Sequence, residues 1–147
     1  MKITVVAVGR IKEPYVRAAI DDYAGRVRRY VSFEEREIED GSDDDLAATI
    51  RRVAREATVV PLDSRGAELD SHAFSRFIEK LGRRGKGDVA FAIGGKAGLG
   101  SKSLALGAEV LSLSKMTLPH RLARLVLTEQ IYRAFTIARG EPYGAAE

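Results

Sequence analysis

Short apolar runs alternate along this chain with longer segments in which apolar residues recur every three or four positions. The short runs predict β-strands at 3–8, 33–39, 58–63, 88–93 and 109–112. The longer segments predict α-helices at 13–30, 41–58, 71–81, 101–107 and 119–139. Because strands that alternate with helices are joined by crossover connections, we expect an α/β fold with a mainly parallel open sheet flanked by helices.

The third strand carries a proline. Pro61 has no backbone N–H, so it indicates the end of a strand rather than the centre of a sheet. The next residues, 64–66, read Ser-Arg-Gly and predict a turn.

The last predicted helix, 119–139, is apolar on nearly all sides and has only a narrow polar edge. A helix of this kind must be buried on several sides. Two arrangements satisfy this requirement: the helix lies in a dimer interface, or the rest of the chain encloses it.

Two loops follow predicted strands near the end of the chain. Their sequences are IGGKAGL at 93–99 and LSKMTLPH at 113–120. Glycines let a backbone turn sharply or approach a ligand closely, and open α/β sheets bind ligands where parallel strands end. We therefore expect one cofactor cleft, built mainly from backbone, where these loops meet.

Two common nucleotide motifs do not fit the first of these loops. A P-loop requires Lys followed by Ser or Thr after its second glycine, whereas Gly100 is followed by Ser101 and Lys102. A dinucleotide-binding reading from Gly98 ends in Ser103 and lacks the acidic residue about twenty positions later that would hold a ribose. The spacing therefore argues against both nucleoside triphosphates and dinucleotides.

Composition narrows the class of protein. At 147 residues, 45% apolar and 31% charged, the sequence fits a single globular domain spanning 1–147. The apolar runs are too short for a membrane span and the chain opens directly into a strand, so we expect no signal peptide and no membrane association. With no cysteine and two histidines, we expect no disulfide and no metal site. These features are typical of cytoplasmic proteins.

Charge is unevenly distributed along the chain. Acidic residues concentrate at 34–45, whereas basic residues concentrate at 83–102 and in the last helix, which we expect to lie around the cleft. With a net charge of +3, this basic excess is either an ordinary solvated surface or a footprint for RNA phosphates.

Several motifs, in order along the whole chain, resemble one family. They are MKITVVAVG at 1–9, the two loops above, EQIYRAF at 129–135 and RGEPY at 139–143. The chain resembles the ribosomal RNA large subunit methyltransferase H family of the SPOUT superfamily. The resemblance implies an α/β fold with a C-terminal trefoil knot, a homodimer, S-adenosylmethionine as cofactor and no metal. It also implies methylation at N3 of a pseudouridine in 23S rRNA within the ribosome.

The resemblance also implies which residues bind the cofactor. They are Leu62, Gly94, Gly95, Leu113, Ser114, Lys115, Met116, Thr117 and Leu118. Backbone groups of the loops suit the adenine edge and ribose, and the leucines and Met116 suit apolar walls. Ser114 and Thr117 equally suit helix capping, and Lys115 equally suits an exposed position.

For catalysis we favour Arg124 and Arg133, which would stabilise the imide anion or adjacent phosphates, and Tyr143, which would stack on a base. Salt bridges to Glu129 are an equal alternative for both arginines. Relatives carry a histidine after the tail tyrosine, whereas this chain has Gly144. That change leaves a second function open: a knot protein that binds S-adenosylmethionine and the ribosome with weak or no catalysis.

Overall fold

The computed structural model describes residues 1–145. Its centre is a five-stranded sheet in the order β2-β1-β4-β3-β5, and every pairing is parallel. The strands are β1 (Lys2–Val8), β2 (Ser32–Ile38), β3 (Thr58–Glu68), β4 (Val89–Ile93) and β5 (Leu111–Ser112). The predicted parallel α/β architecture is confirmed.

Helices cover both faces of the sheet. They are α1 (Pro14–Val27), α2 (Asp43–Ala54), α3 (Ser71–Gly82), α4 (Ser101–Leu104), α5 (His120–Ala138) and α6 (Pro142–Ala145). α5 packs between α1 and α3 on one face, while α2 and α4 pack together on the other. The short α6 has no counterpart in the sequence prediction.

Local capping explains where the longer helices begin. Ser42 accepts a hydrogen bond from the Asp45 N–H at 3.1 Å, and three aspartates fill the first turn of α2, where the helix dipole favours negative charge. Asp70 likewise accepts from the Ala73 N–H at 2.7 Å at the start of α3. Both helices thus satisfy an N-terminal donor with a side chain.

β3 departs from its prediction in two respects. It continues to Glu68 instead of turning at 64–66, and it lies inside the sheet between β4 and β5. Pro61 is tolerated because it forms the last pair with β4, opposite Ala92. Beyond it the strand pairs with β5 through an irregular register, and a Cβ at Gly66 would lie 2.6 Å from the Val110 carbonyl oxygen. Gly66 therefore permits close approach of the two strands.

The last helix is enclosed on most sides. Leu127 and Ile131 of α5 are fully buried in the cluster formed by the sheet, α1 and α3. One face stays open, because Leu122 and Val126 are 38% and 37% exposed. The chain therefore encloses most of α5 and leaves an apolar strip at its surface.

Candidate cofactor cleft and active site

Residues 62–65 of β3 and the segments that follow β4 and β5 surround a cleft of about 340 Å³ at the carboxyl edge of the sheet. This volume falls in the range of about 300–1,000 Å³ typical of small-molecule sites. The residues of the expected cofactor set that line it are Leu62, Gly94, Gly95, Leu113, Ser114, Met116, Thr117 and Leu118. Lys115 does not line the cleft: its ammonium lies 3.5 Å from Glu68 and its side chain is 82% exposed.

The glycine loop, residues 94–98, closes on itself at the mouth of the cleft. The Gly98 N–H donates to the Gly95 carbonyl oxygen at 3.0 Å, and Gly98 has a φ of +75°. A Cβ at Gly94 would lie 2.5 Å from the Gly98 carbonyl carbon and 2.7 Å from the Leu99 nitrogen. Gly94 is therefore required by the loop's own backbone.

The second wall of the cleft, residues 113–118, is shaped by serine side chains. The Ser114 hydroxyl accepts from the Met116 N–H at 2.9 Å, while the Ser112 hydroxyl donates to the Ser114 carbonyl oxygen at 3.0 Å. These bonds turn the segment so that Met116 stands 78% exposed beside the cleft. Helix α5 has no side-chain cap, so Ser114 and Thr117 do not cap it.

Asp63 and Arg65 also line the cleft, and the sequence did not single them out. The Asp63 carboxylate accepts from the Arg65 N–H at 2.8 Å and from its Nε at 2.9 Å. The side-chain hydrogen bond from Arg65 holds the pKa of Asp63 below its ordinary value, against the opposing effect of partial burial. The cleft therefore carries an ionised carboxylate at neutral pH. The sequence does contain a signal for Asp63, because this acidic residue directly follows the apolar residues of a predicted strand.

Arg124 lies one residue beyond the cleft-lining Ala123, but its guanidinium points away into the protein. The side chain is fully buried. It donates from Nη2 to Glu35 at 2.8 Å and to Glu37 at 2.7 Å, and from Nη1 to the Gly9 carbonyl oxygen at 3.3 Å. Its partners thus lie on β2 and directly after β1, and Glu129 is not among them.

Arg133 and Tyr143 lie together at a different place. Arg133 donates from Nε to Glu129 at 3.0 Å, the Tyr143 hydroxyl donates to the same carboxylate at 2.6 Å, and the Arg133 guanidinium carbon lies 4.6 Å from the Tyr143 ring centroid. Because a helix rises about 1.5 Å per residue, Arg133 is about 20 Å along α5 from the cleft residue His120. One chain therefore does not bring these two residues to its own cleft.

The protonation state of Tyr143 follows from its surroundings. Partial burial raises the pKa of Tyr143, and hydrogen bonds with Glu129 and Tyr23 raise it further. The phenol therefore keeps its proton at neutral pH. It can donate a hydrogen bond or stack, but it is not suited to accept a proton.

The sequence of this chain matches the family model described as predicted SPOUT methyltransferase over residues 1–144. The chain belongs to this family. Within it, the ribosomal RNA large subunit methyltransferase H of Sorangium cellulosum is 49% identical over 143 residues, covering 97% of this chain and 99% of that protein. The enzyme of the same name from Anaeromyxobacter dehalogenans is 45% identical over 152 residues, with the same coverage. This SPOUT methyltransferase is therefore a member of the large subunit methyltransferase H family.

One solved structure that is similar to this SPOUT methyltransferase has a distant sequence. A methyltransferase from Legionella pneumophila in complex with SAM matches with a TM-score of 0.49 at 13% identity, over 91% of this chain and 66% of that one. This similarity is too low to support a conclusion about function.

The tail of this SPOUT methyltransferase folds back on its own last helix. Gly144 is buried in α6, and a Cβ there would lie 2.6 Å from Ile137 Cγ1 and 2.8 Å from the Ile137 nitrogen. The absence of a side chain at 144 thus allows α6 to pack on α5. A histidine at this position would require α6 to move.

Basic residues are not gathered around the cleft as expected. Arg83, Arg84 and Lys86 precede β4 and therefore lie at the opposite edge of the sheet, where Arg84 pairs with Glu109 at 2.8 Å. Lys102 bonds to Asp44 on α2. Of the basic residues in 83–102, Lys96 alone lines the cleft.

No helix within residues 1–145 is long and apolar enough to cross a membrane. Nor does this range hold a group of three or more His, Cys, Asp or Glu side chains placed to bind a metal ion.

Proposed function

We propose that the protein transfers a methyl group from S-adenosylmethionine to N3 of a pseudouridine in 23S rRNA. The observation that carries the proposal is the cleft at the carboxyl edge of the sheet, which unites eight of the nine expected cofactor residues from β3, the glycine loop and residues 113–118. Membership of the large subunit methyltransferase H family supports the choice of rRNA. The proposed substrate would be met in the cytoplasm, on ribosomes.

The cleft fits S-adenosylmethionine by volume and by chemistry. Backbone N–H and carbonyl groups of Gly94, Gly95 and residues 113–118 would hold the adenine and ribose, while Leu62 and Leu118 would provide apolar contacts. The Asp63 carboxylate offers a partner for the cationic amino-acid end. When bound, S-adenosylmethionine supplies an electrophilic methyl group on a sulfonium.

Methylation of an imide nitrogen requires N3 to lose its proton as the new N–C bond forms. Placing nucleophile and methyl group in line contributes about 7–11 kcal/mol in well-oriented reactions, so orientation is a principal part of the proposed catalysis. Arg133 would stabilise negative charge on the imide, and the protonated Tyr143 would stack on or donate to the base. Arg124 would act by positioning, because its guanidinium is buried and bound to two carboxylates.

The separation of Arg133 and Tyr143 from the cleft supports a homodimer. If α5 of one copy packs antiparallel to α5 of a second, the tail of each copy approaches the cleft of its partner. The exposed apolar side chains Leu122 and Val126 on α5, with Leu69 and Met116 nearby in the fold, supply a surface for this contact.

We further propose a single domain with a knotted C-terminal region. Residues 1–147 form one SPOUT domain, and the chain passes through a C-terminal trefoil knot. The path of α5 supports the knot, because the helix leaves the edge strand β5 and returns to the middle of the helical layer between α1 and α3.

Mass spectrometry of 23S rRNA tests the reaction. We expect rRNA from a strain lacking the gene to lose one methyl group on a pseudouridine, and the purified protein with S-adenosylmethionine to restore it. If the methyl group is lost from a different RNA, that RNA is the substrate and the proposed rRNA substrate is wrong. Cofactor and ribosome binding without any change in RNA mass would instead support the non-catalytic function suggested by Gly144.

A mixing experiment tests the shared site. Gly94→Ala disrupts the cofactor cleft, and Arg133→Ala removes the cation proposed to stabilise the imide. Each variant alone is therefore expected to be inactive. Random reassociation of the two variants is expected to restore about one quarter of wild-type activity, because half of the dimers then hold one intact composite site. If mixing restores no activity, the shared site is contradicted.

The homodimer itself is tested by light scattering. We expect a dimer at micromolar concentration, and a monomer would contradict the shared site.

A further inference from the structure

The segment that joins β1 to α1 and the first two residues of α1, together residues 9–15, emerge beside the cofactor cleft. β1 and β4 are paired neighbours, with Ala7 opposite Ile93, so this segment and the glycine loop leave the sheet side by side. A Cβ at Gly95 would lie 3.1 Å from Val8 Cγ1, which shows how close the two chain segments are. The proposed function assigns no role to this segment.

Three side chains of this segment, Arg10, Lys12 and Tyr15, are exposed. The Tyr15 ring is 72% exposed. Arg10 and Lys12 are exposed, and within residues 1–145 neither forms an ion pair. Lys96 of the glycine loop is likewise exposed and unpaired in that range, and it lines the cleft. Three cations that are unpaired within residues 1–145 and one aromatic ring thus lie at the carboxyl edge of the sheet, on the two segments that leave β1 and β4.

The backbone beneath these side chains is held in place. The Gly9 N–H donates to the Ile38 carbonyl oxygen at 2.8 Å, and the Ile11 N–H donates to Glu37 at 3.2 Å. Arg124 donates to the Gly9 carbonyl oxygen, which ties the segment to the buried charge cluster. A segment anchored in this way presents Arg10 and Lys12 with little backbone freedom to lose on binding.

Acidic side chains also lie near this edge. Glu39 and Asp40 follow β2 and are exposed, and a Cβ at Gly95 would lie 3.9 Å from the Asp40 Oδ2, so this carboxylate reaches the glycine loop. Glu13 is already engaged, because it pairs with Arg121 at 3.7 Å. A polyanion would therefore be attracted to Arg10, Lys12 and Lys96 and repelled by Asp40.

We propose that Arg10, Lys12, Tyr15 and Lys96 form an rRNA-docking surface at the rim of the cofactor cleft. The cations contact backbone phosphates, and the Tyr15 ring stacks on an unpaired base next to the nucleotide that enters the cleft. This inference rests on the proposed function, since it extends the same site to its RNA partner.

Cosedimentation with ribosomes from a strain lacking the gene tests the surface at several KCl concentrations. Arg10→Ala/Lys12→Ala is expected to weaken binding at least tenfold and to lower the salt dependence of log K by about 0.7–0.9 per cation. Tyr15→Leu is expected to weaken binding about tenfold, whereas Tyr15→Phe keeps the ring and stays near wild type. Affinity for S-adenosylmethionine is expected to be unchanged in all of them.

Arg83→Ala is the matched control, because Arg83 is exposed and lies at the opposite edge of the sheet. Its ribosome affinity is expected to match wild type. If Arg10→Ala/Lys12→Ala binds as Arg83→Ala does, or Tyr15→Leu as Tyr15→Phe, the docking surface is overturned. If the wild type binds ribosomes but methylates no rRNA, the proposed function fails, while the comparison among variants still decides the docking surface.

Discussion

Replacing Gly94 by alanine is expected to lower the affinity for S-adenosylmethionine by more than about 100-fold, equivalent to about 2.8 kcal/mol. The added Cβ would meet backbone atoms of Gly98 and Leu99 at 2.5 and 2.7 Å. Leu99 is only 5% exposed and packs in the core, so it cannot retreat. The glycine loop must open instead, and the cleft loses the backbone groups proposed to hold the cofactor. Isothermal titration calorimetry measures the effect.

Gly87→Ala is the control for this variant. Gly87 has a φ of +79°, and a Cβ there would lie 2.6 Å from the Gly82 carbonyl oxygen, so the substitution also strains the backbone. It lies at the opposite edge of the sheet, before β4. We expect Gly87→Ala to lose thermal stability and to retain cofactor affinity. Wild-type affinity in Gly94→Ala would remove the glycine loop from the cofactor site.

Replacing Arg124 by methionine is expected to destabilise the fold by about 3–5 kcal/mol, the usual cost of breaking a buried ion pair. The change leaves Glu35, whose side chain is 13% exposed, and Glu37 without their buried cation. Arg17 still pairs with Glu35 and partly compensates. Urea unfolding measures the difference. In the triple variant with Glu35→Gln and Glu37→Gln, most of the lost stability is expected to return, since no unpaired carboxylate remains in the cluster and Arg17 keeps its ion pair with Asp21.

The same cluster gives a pH dependence. Burial tends to raise the pKa of Glu37, but the hydrogen bond and charge of Arg124, the Ile11 N–H and Arg17 outweigh it, and the pKa is lowered. A lowered pKa stabilises the fold above the unfolded value of 4.5, and that contribution is lost as pH falls through the folded pKa. The deficit of Arg124→Met is therefore expected to shrink below about pH 4.5. A deficit that is constant from pH 7 to pH 3 would contradict the ion-pair account.

The placement of Arg124 links stability to the proposed RNA surface. Its hydrogen bonds hold Gly9 and, through Glu37, Ile11, so the residue fixes the segment that presents Arg10 and Lys12. It also sits one residue from Ala123 in the cleft wall. A buried charge cluster thus lies beneath both the cleft and the segment proposed to bind rRNA.

The sequence alone determined the features that depend on local patterns. Apolar periodicity and glycine punctuation gave the strands, the longer helices and the parallel sheet, because each is set by residues close together in the chain. The loops at 93–99 and 113–120 were expected to meet because parallel strands end at one edge, and both line the cleft.

Only the tertiary structure decided the features that depend on distant partners. Arg124 and Glu35 are 89 positions apart, so no local pattern indicates that they form a buried ion pair. The basic residues at 83–86 and Lys96 are close in sequence, yet β4 carries them to opposite edges of the sheet. Tyr143 and Arg133 were expected to act in catalysis, but α5 is long and runs away from the cleft, which separates them from it within one chain. Burial and charge pairing are set by the packing of whole elements, and packing is what the sequence pattern does not specify.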